Sequence, residues 1–249
     1  GFNRFIMSDN KVRINKFLSQ AGFCSRREAD QYILDGRVTI NGIVAEMGTK
    51  ISLDDKIAVD GEKISKKNIK KLYLIFNKPK GIVCTTDAGV EKDNIIDYIN
   101  HPQRIFPIGR LDKTSEGLIF LTNDGDIVNK ILRAKNKHEK EYHVVVDKPI
   151  NSDFIKKMSN GVPILNTVTK KCEVKFVKDY EFKIILTQGL NRQIRRMCEF
   201  LGYRVKKLNR VRIMNVKIDI PIGQWRYFSP EELSDLKNLL SKSTNSYGN

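Results

Sequence analysis

The apolar residues change their period along the chain, and each change marks an element. Ile14, Phe17, Leu18 and Ala21 recur at helical spacing, and Gly22 supplies a stop. Ser25-Arg26-Arg27-Glu28 then matches a capping box, with Ser25 at the N-cap and Glu28 three residues on. Ala29, Tyr32 and Ile33 form the stripe of that second helix, and Gly36 ends it. Val38-Thr39-Ile40 is strand-like, Asn41-Gly42 is a tight hairpin signal, and Ile43-Val44 begins the return strand. Asp54-Asp55 and Asp60-Gly61 mark further turns. The spacing predicts a helix–helix–hairpin unit over residues 12–64.

Residues 65–71 are polar and basic and read as a linker. A second domain is predicted over 72–240. Its apolar runs at 72–76, 82–85, 118–122, 142–146, 181–187 and 211–218 are predicted strands, and 95–99, 126–133, 152–159 and 192–201 are predicted helices. A last helix should begin at Ser229-Pro230-Glu231-Glu232, with proline in its first position. Strands and helices do not alternate regularly, so the expected fold class is α+β with a mainly antiparallel sheet. Residues 1–11 are set aside as an N-terminal extension or remnant, because Met7-Ser8-Asp9 has the look of a start. Residues 241–249 are polar and expected to be disordered.

Charge narrows the function. Lys plus Arg total 45 against 29 Asp plus Glu, a net +16. Such an excess attracts polyanions, of which nucleic acid is the commonest, although a solvated basic surface without a partner also fits. No apolar run nears the ~18–20 residues that span a bilayer, so no membrane partner is expected. Cys24, Cys84, Cys172 and Cys198 form no C-x-x-C pair and the three histidines are scattered, so no metal site is expected. With no secretion signal, the thiols are expected to be reduced and cytoplasmic.

The basic residues are unevenly placed. Arg13 and Lys16 lie on the first predicted helix, Arg26 and Arg27 in the first turn of the second, and Arg37 beyond its end. Cations at a helix N-terminus oppose its dipole, which makes better sense if an anion docks there; a solvated helix face is the alternative.

Four segments could carry chemistry. The run Gly109-Arg110-Leu111-Asp112-Lys113-Thr114-Ser115-Glu116-Gly117 opens onto an apolar strand and holds Asp112 between two cations. A loop carboxylate beside rigid strands suits catalysis, though an aspartate in a turn also serves as a local backbone acceptor. In the second segment Asn191 is the expected N-cap, and Ile194, Met197, Cys198 and Leu201 form a buried stripe. Arg192, Arg195 and Arg196 flank that stripe with planar, permanently charged forks suited to carboxylate or phosphate, or else lie exposed on an amphipathic helix. Lys206, Lys207, Arg210 and Arg212 extend the basic character into a following strand. The third segment, Asn77-Lys78-Pro79-Lys80-Gly81, reads as a turn with two exposed ammonium groups, of which Lys78 is placed against substrate. In the fourth, Lys140-Glu141-Tyr142, Tyr142 starts an apolar strand as a core or a site residue.

In their order and spacing these segments resemble the RsuA/RluB/RluE/RluF family of bacterial rRNA pseudouridine synthases, over nearly the whole chain. The N-terminal unit is similar to the S-four RNA-binding domain. The runs H-P-Q-R-I-F-P-I-G-R-L-D and G-L-N-R-Q-I-R-R-M-C-E look most like the RluF-type branch, which acts on 23S rRNA; members of that branch can carry a long basic C-terminal extension, a feature not seen in this sequence. The resemblance implies isomerisation of a specific uridine in a structured stem-loop, by a monomer, without metal or other cofactor. It implies Asp112 as the essential carboxylate, as nucleophile or as base on the sugar. Tyr142 would stack on the base, Arg195 would pair with Asp112, and Arg110 would hold the target nucleotide extruded. Leu208 would line the pocket. The same chemistry on tRNA, or a non-catalytic ribosome-assembly factor, are the alternatives.

Overall fold

The computed structural model describes residues 11–52, 54–65, 70–85, 92–133 and 138–245. Residues 1–10, linker residues 66–69 and tail residues 246–249 lie outside the described residues. The chain divides into two compact units.

The first unit joins residues 1–72 with two later segments, 101–106 and 122–128. It begins with β1 (Val12–Arg13), α1 (Ile14–Gln20) and α2 (Arg26–Leu34). The Ser25 hydroxyl caps α2 by accepting the Glu28 N–H at 3.1 Å. The strands β2 (Val38–Ile40), β3 (Ile43–Val44), β5 (Ile57–Val59) and β6 (Glu62–Ile64) form a sheet in the order β3-β2-β5-β6, while β4 (Lys50–Ile51) pairs with β1. Asn41 and Gly42 both take positive φ, 52° and 84°, as a two-residue hairpin turn demands. Leu18, Ala29 and Val38 are fully buried, so both helices and the sheet share one small core.

The added segments clasp the end of the linker. Leu72 N–H donates to Asn123 Oδ1 at 2.7 Å, and the Thr122 hydroxyl donates to the Leu72 carbonyl at 2.6 Å. Asn123 Nδ2 also donates to the Lys70 carbonyl at 2.9 Å. Arg104 forms an ion pair with Glu28 of α2. These contacts, remote in sequence, are absent from a boundary drawn at residue 64.

The second unit holds a mixed sheet, nine-stranded among the described residues. Its strands are β7 (Tyr73–Lys78), β8 (Phe106–Ile108), β9 (Glu116–Thr122), β10 (Lys140–Val146), β13 (Glu173–Lys178), β14 (Glu181–Leu186), β15 (Val205–Ile213), β16 (Val216–Lys217) and β17 (Trp225–Tyr227). The order is β13-β14-β10-β15-β9-β7-β17, with β16 beside β15 and β8 beside β9. The β15–β9 pair is parallel, while β10–β14, β10–β15, β13–β14 and β7–β17 are antiparallel. A small hairpin, β11 (Pro163–Ile164) with β12 (Thr167–Val168), lies apart from that sheet. The helices are α3 (Ile95–Ile99), α5 (Ser152–Asn160), α6 (Gln193–Phe200) and α7 (Pro230–Asn245), while α4 (Gly125–Arg133) begins in a segment of the first unit and ends in the second. Phe154 and Met158 of α5 and Met197 of α6 bury against Val144, Phe182 and Ile184 of the sheet.

Several local expectations change. The run 82–85 forms only an isolated bridge, Val83 to Asn94. The run 211–218 is broken at Met214, whose φ is 53°, and folds back as a β15–β16 hairpin. Helix α7 continues to Asn245, five residues into the tail expected to be disordered. Among the described residues, no helix is long and apolar enough to cross a membrane.

Candidate active site

The site lies within the second unit, in a cavity of about 600 Å³. Period-two geometry builds its floor. Tyr142 on β10, Leu186 on β14 and Leu208 on β15 all line it, beside the buried Val144 and Ile184. A register shift between Glu141 and Tyr142 sets Tyr142 opposite Arg210.

The Asp112 loop forms one wall, and its backbone is held from beneath. The Arg110 carbonyl accepts Arg210 Nη1 at 3.4 Å, and the Leu111 carbonyl accepts the Cys84 thiol at 3.4 Å. The Asp112 carbonyl accepts Ser115 N–H at 2.9 Å, closing a tight turn. The Lys113 carbonyl accepts Gly81 N–H at 2.8 Å and lies 3.5 Å from Lys78 Nζ. Four successive carbonyls therefore have partners, which fixes the direction in which Asp112 points.

Lys78 and Arg210 change role in this arrangement. Lys78 is fully buried, and its ammonium donates to the Pro79 and Ile82 carbonyls at 2.9 and 2.8 Å. Burial lowers its pKa. It is a strut beneath the loop rather than an exposed group against substrate. Arg210 is buried as well, donating its Nε–H to the Leu118 carbonyl at 2.8 Å, so it braces the cavity wall rather than offering an exposed cation. Arg212 is turned inward too, bonded to the Met214 carbonyl at 2.7 Å and paired with Glu139 and Glu141. The common reason is that each cation finds carbonyl or carboxylate acceptors within the protein.

The opposite wall is the start of α6. Arg192, not Asn191, is its N-cap, in the left-handed region with φ 49° and no side-chain cap. Asn191 instead receives Arg196, whose Nε and Nη2 reach its carbonyl and side-chain oxygen at 3.0 Å each. Arg196 thus braces the turn and does not line the cavity. Arg192 Nη1 lies 3.4 Å from Asp112 Oδ2. Arg195, one helical turn on, gives its Nη2 to the Ser115 hydroxyl at 3.1 Å, and its buried Nε has no partner among the described residues. Burial, and then the charge of Arg192, lower the Arg195 pKa. In place of the direct pairing expected between Asp112 and Arg195, Asp112 pairs with Arg192 and Arg195 is held by Ser115.

Arg110 and Lys113 are exposed on the rim. Lys206 and Lys207 are exposed at the start of β15. In the first unit Arg13, Arg26, Arg27 and Arg37 are exposed and Lys16 half-buried. Arg37 is engaged bidentately by Asp60 and sits 4.4 Å over the Tyr32 ring. Ser115, Cys84 and Lys140 also line the cavity; Ser115 and Lys140 fall inside the segments noted above without an expected role, and nothing in local sequence singles out Cys84. The described residues hold no group of three His, Cys, Asp or Glu placed to bind a metal.

Comparison with known proteins identifies this architecture. The RNA pseudouridylate synthase family matches residues 72–200, a little over half of the chain, and the S4 domain family matches residues 12–57. The chain belongs to the RNA pseudouridine synthase family. Among its relatives, the Dual-specificity RNA pseudouridine synthase RluF of Escherichia coli is 57% identical over 241 residues, covering 96% of this chain and 83% of that protein. The Ribosomal large subunit pseudouridine synthase B of Bacillus subtilis is 32% identical over 245 residues, covering 94% of this chain and 99% of that protein. A solved pseudouridylate synthase superposes with a TM-score of 0.65 at 28% identity, covering 90% of this chain and 99% of that one.

Proposed function

We propose that this RNA pseudouridine synthase isomerises a uridine in structured 23S ribosomal RNA, with Asp112 as the catalytic carboxylate. The observation that carries the reading is the Asp112 carboxylate, held on a fully anchored loop at the rim of a cavity of about 600 Å³ floored by Tyr142. That volume falls within the roughly 300–1,000 Å³ of sites that enclose a small molecule. A uridine inside an RNA helix cannot reach such a cavity, so it must leave its stack.

In the reaction the bond from ribose C1′ to uracil N1 breaks and a bond from C1′ to C5 forms. The C5 proton is lost and N1 gains one, so the mass is unchanged. Asp112 acts at the sugar, as nucleophile or as base. Tyr142 offers the extruded base an aromatic face, and Arg110 on the rim holds the nucleotide out. Arg192 pairs with the carboxylate and Arg195 stands behind the same turn on Ser115. The S4 unit grips RNA through phosphates and shape, with Arg13, Arg26 and Arg27 exposed to do so. Large-subunit RNA as the substrate is supported by the likeness to the Bacillus subtilis large-subunit synthase. A second RNA, for which tRNA is our choice, is supported by the dual specificity in the name of the Escherichia coli relative.

The test is chemical labelling of pseudouridine in rRNA and tRNA from a deletion strain complemented with the wild type or Asp112→Asn. The variant should bind RNA and restore no pseudouridine. Full restoration would remove Asp112 from the chemistry, and labelling unchanged by deletion would point to a non-catalytic RNA-binding role.

A further inference from the structure

We propose that Ser115 is a positioning residue for the isomerisation, setting the Arg195 guanidinium against the Asp112 turn with one N–H held open for an acceptor. The proposal rests on the reading of Asp112 as the catalytic carboxylate.

Ser115 touches both partners. Its N–H donates to the Asp112 carbonyl at 2.9 Å, and its hydroxyl accepts Arg195 Nη2 at 3.1 Å. It is 1% exposed, so water does not compete for that hydroxyl. Among the described residues the Ser115 hydroxyl is the one acceptor that the Arg195 side chain has. A guanidinium carries five donors in a rigid fork, so fixing one end fixes the direction of the rest. The buried Nε without a partner is the informative atom. A buried donor left unsatisfied is costly, so it marks where an acceptor should arrive. The acceptor that would complete it is the Asp112 carboxylate, released as Arg192 turns to an RNA phosphate, or an oxygen of the bound nucleotide. Ser115 keeps Arg195 ready for either.

The test uses the full chain and total RNA from a strain lacking its gene, read by single-turnover pseudouridine labelling. Ser115→Ala should lower the rate at saturating RNA by roughly ten- to a hundredfold, the scale of a misplaced catalytic group. Its RNA affinity and melting temperature should stay near wild type. Ser115→Thr restores the hydroxyl and should recover most of the rate. Combining Ser115→Ala with Arg195→Lys should cost little more than Arg195→Lys alone. A wild-type rate in Ser115→Ala, or losses that simply multiply in the double variant, overturns the proposal. Asp112→Asn run in parallel separates the two claims. If it stays active the catalytic reading fails, and if it is dead while Ser115→Ala is unimpaired only the role of Ser115 fails.

Discussion

Arg192 Nη1 stands 3.4 Å from Asp112 Oδ2, across 80 residues of sequence, and both side chains keep more than a third of their surface in water (43% and 37%). Pairs this exposed contribute about 0–1 kcal/mol. Arg192→Ala should therefore leave the melting temperature within about 2 °C of wild type. It should raise KM for RNA by about three- to tenfold, with a smaller change in kcat, the outcome expected of a cation at the mouth that binds an RNA phosphate. Steady-state kinetics beside a thermal melt check this, and a large loss of stability with normal kinetics would contradict it.

Arg210 gives the opposite expectation. It is buried and holds the Leu118 and Arg110 carbonyls. Arg210→Met should destabilise the protein by about 2–4 kcal/mol, through lost charge-assisted bonds and orphaned carbonyls. The salt dependence of RNA binding should not change. Lys207→Ala, at an exposed position, should instead flatten the slope of log K against log salt by about one without altering stability. Urea unfolding and binding titrations at several salt concentrations separate the two.

Gly117 joins β9 to β15 where no side chain fits. A Cβ there would lie 2.3 Å from the Arg210 carbonyl oxygen, and φ is +115°. Gly117→Ala should cost about 3 kcal/mol or more, from steric overlap and backbone strain together. Soluble yield and a denaturant midpoint would show it; a midpoint equal to wild type would mean the parallel pairing is not required.

Acid should erode one ion pair near the C-terminal helix. The Glu232 carboxyl is held down to about 2, first by hydrogen bonds from Arg226 and then by the Ser229 N–H, against the cost of burial. A depressed folded-state pKa stabilises above the unfolded value, and that contribution fades as pH falls from about 4.5 toward 2. Glu232→Gln should thus be destabilised by about 1–3 kcal/mol at neutral pH, with the gap closing progressively in acid. Urea midpoints of both proteins at pH 7 and at pH 3.5 provide the comparison.

Much of this protein is local and can be read from its sequence alone. The Ser25 cap, the Asn41-Gly42 turn, α3 and the buried stripe of α6 depend on residues within one or two turns of each other, so periodicity and turn chemistry determine them. The segments bearing Asp112, Tyr142 and Arg195 were also legible, as a family likeness in order and spacing. Only the tertiary structure decided what the charges do. Lys78, Arg210 and Arg212 read as basic surface, yet each is turned toward carbonyls or carboxylates supplied by the folded chain. The partner of Asp112 proved to be Arg192, and Ser115 emerged only because it lies 80 residues from Arg195 in sequence and 3.1 Å from it in space. A cation is solvated, paired or used as a strut according to its burial, and burial is settled by contacts that no local pattern contains.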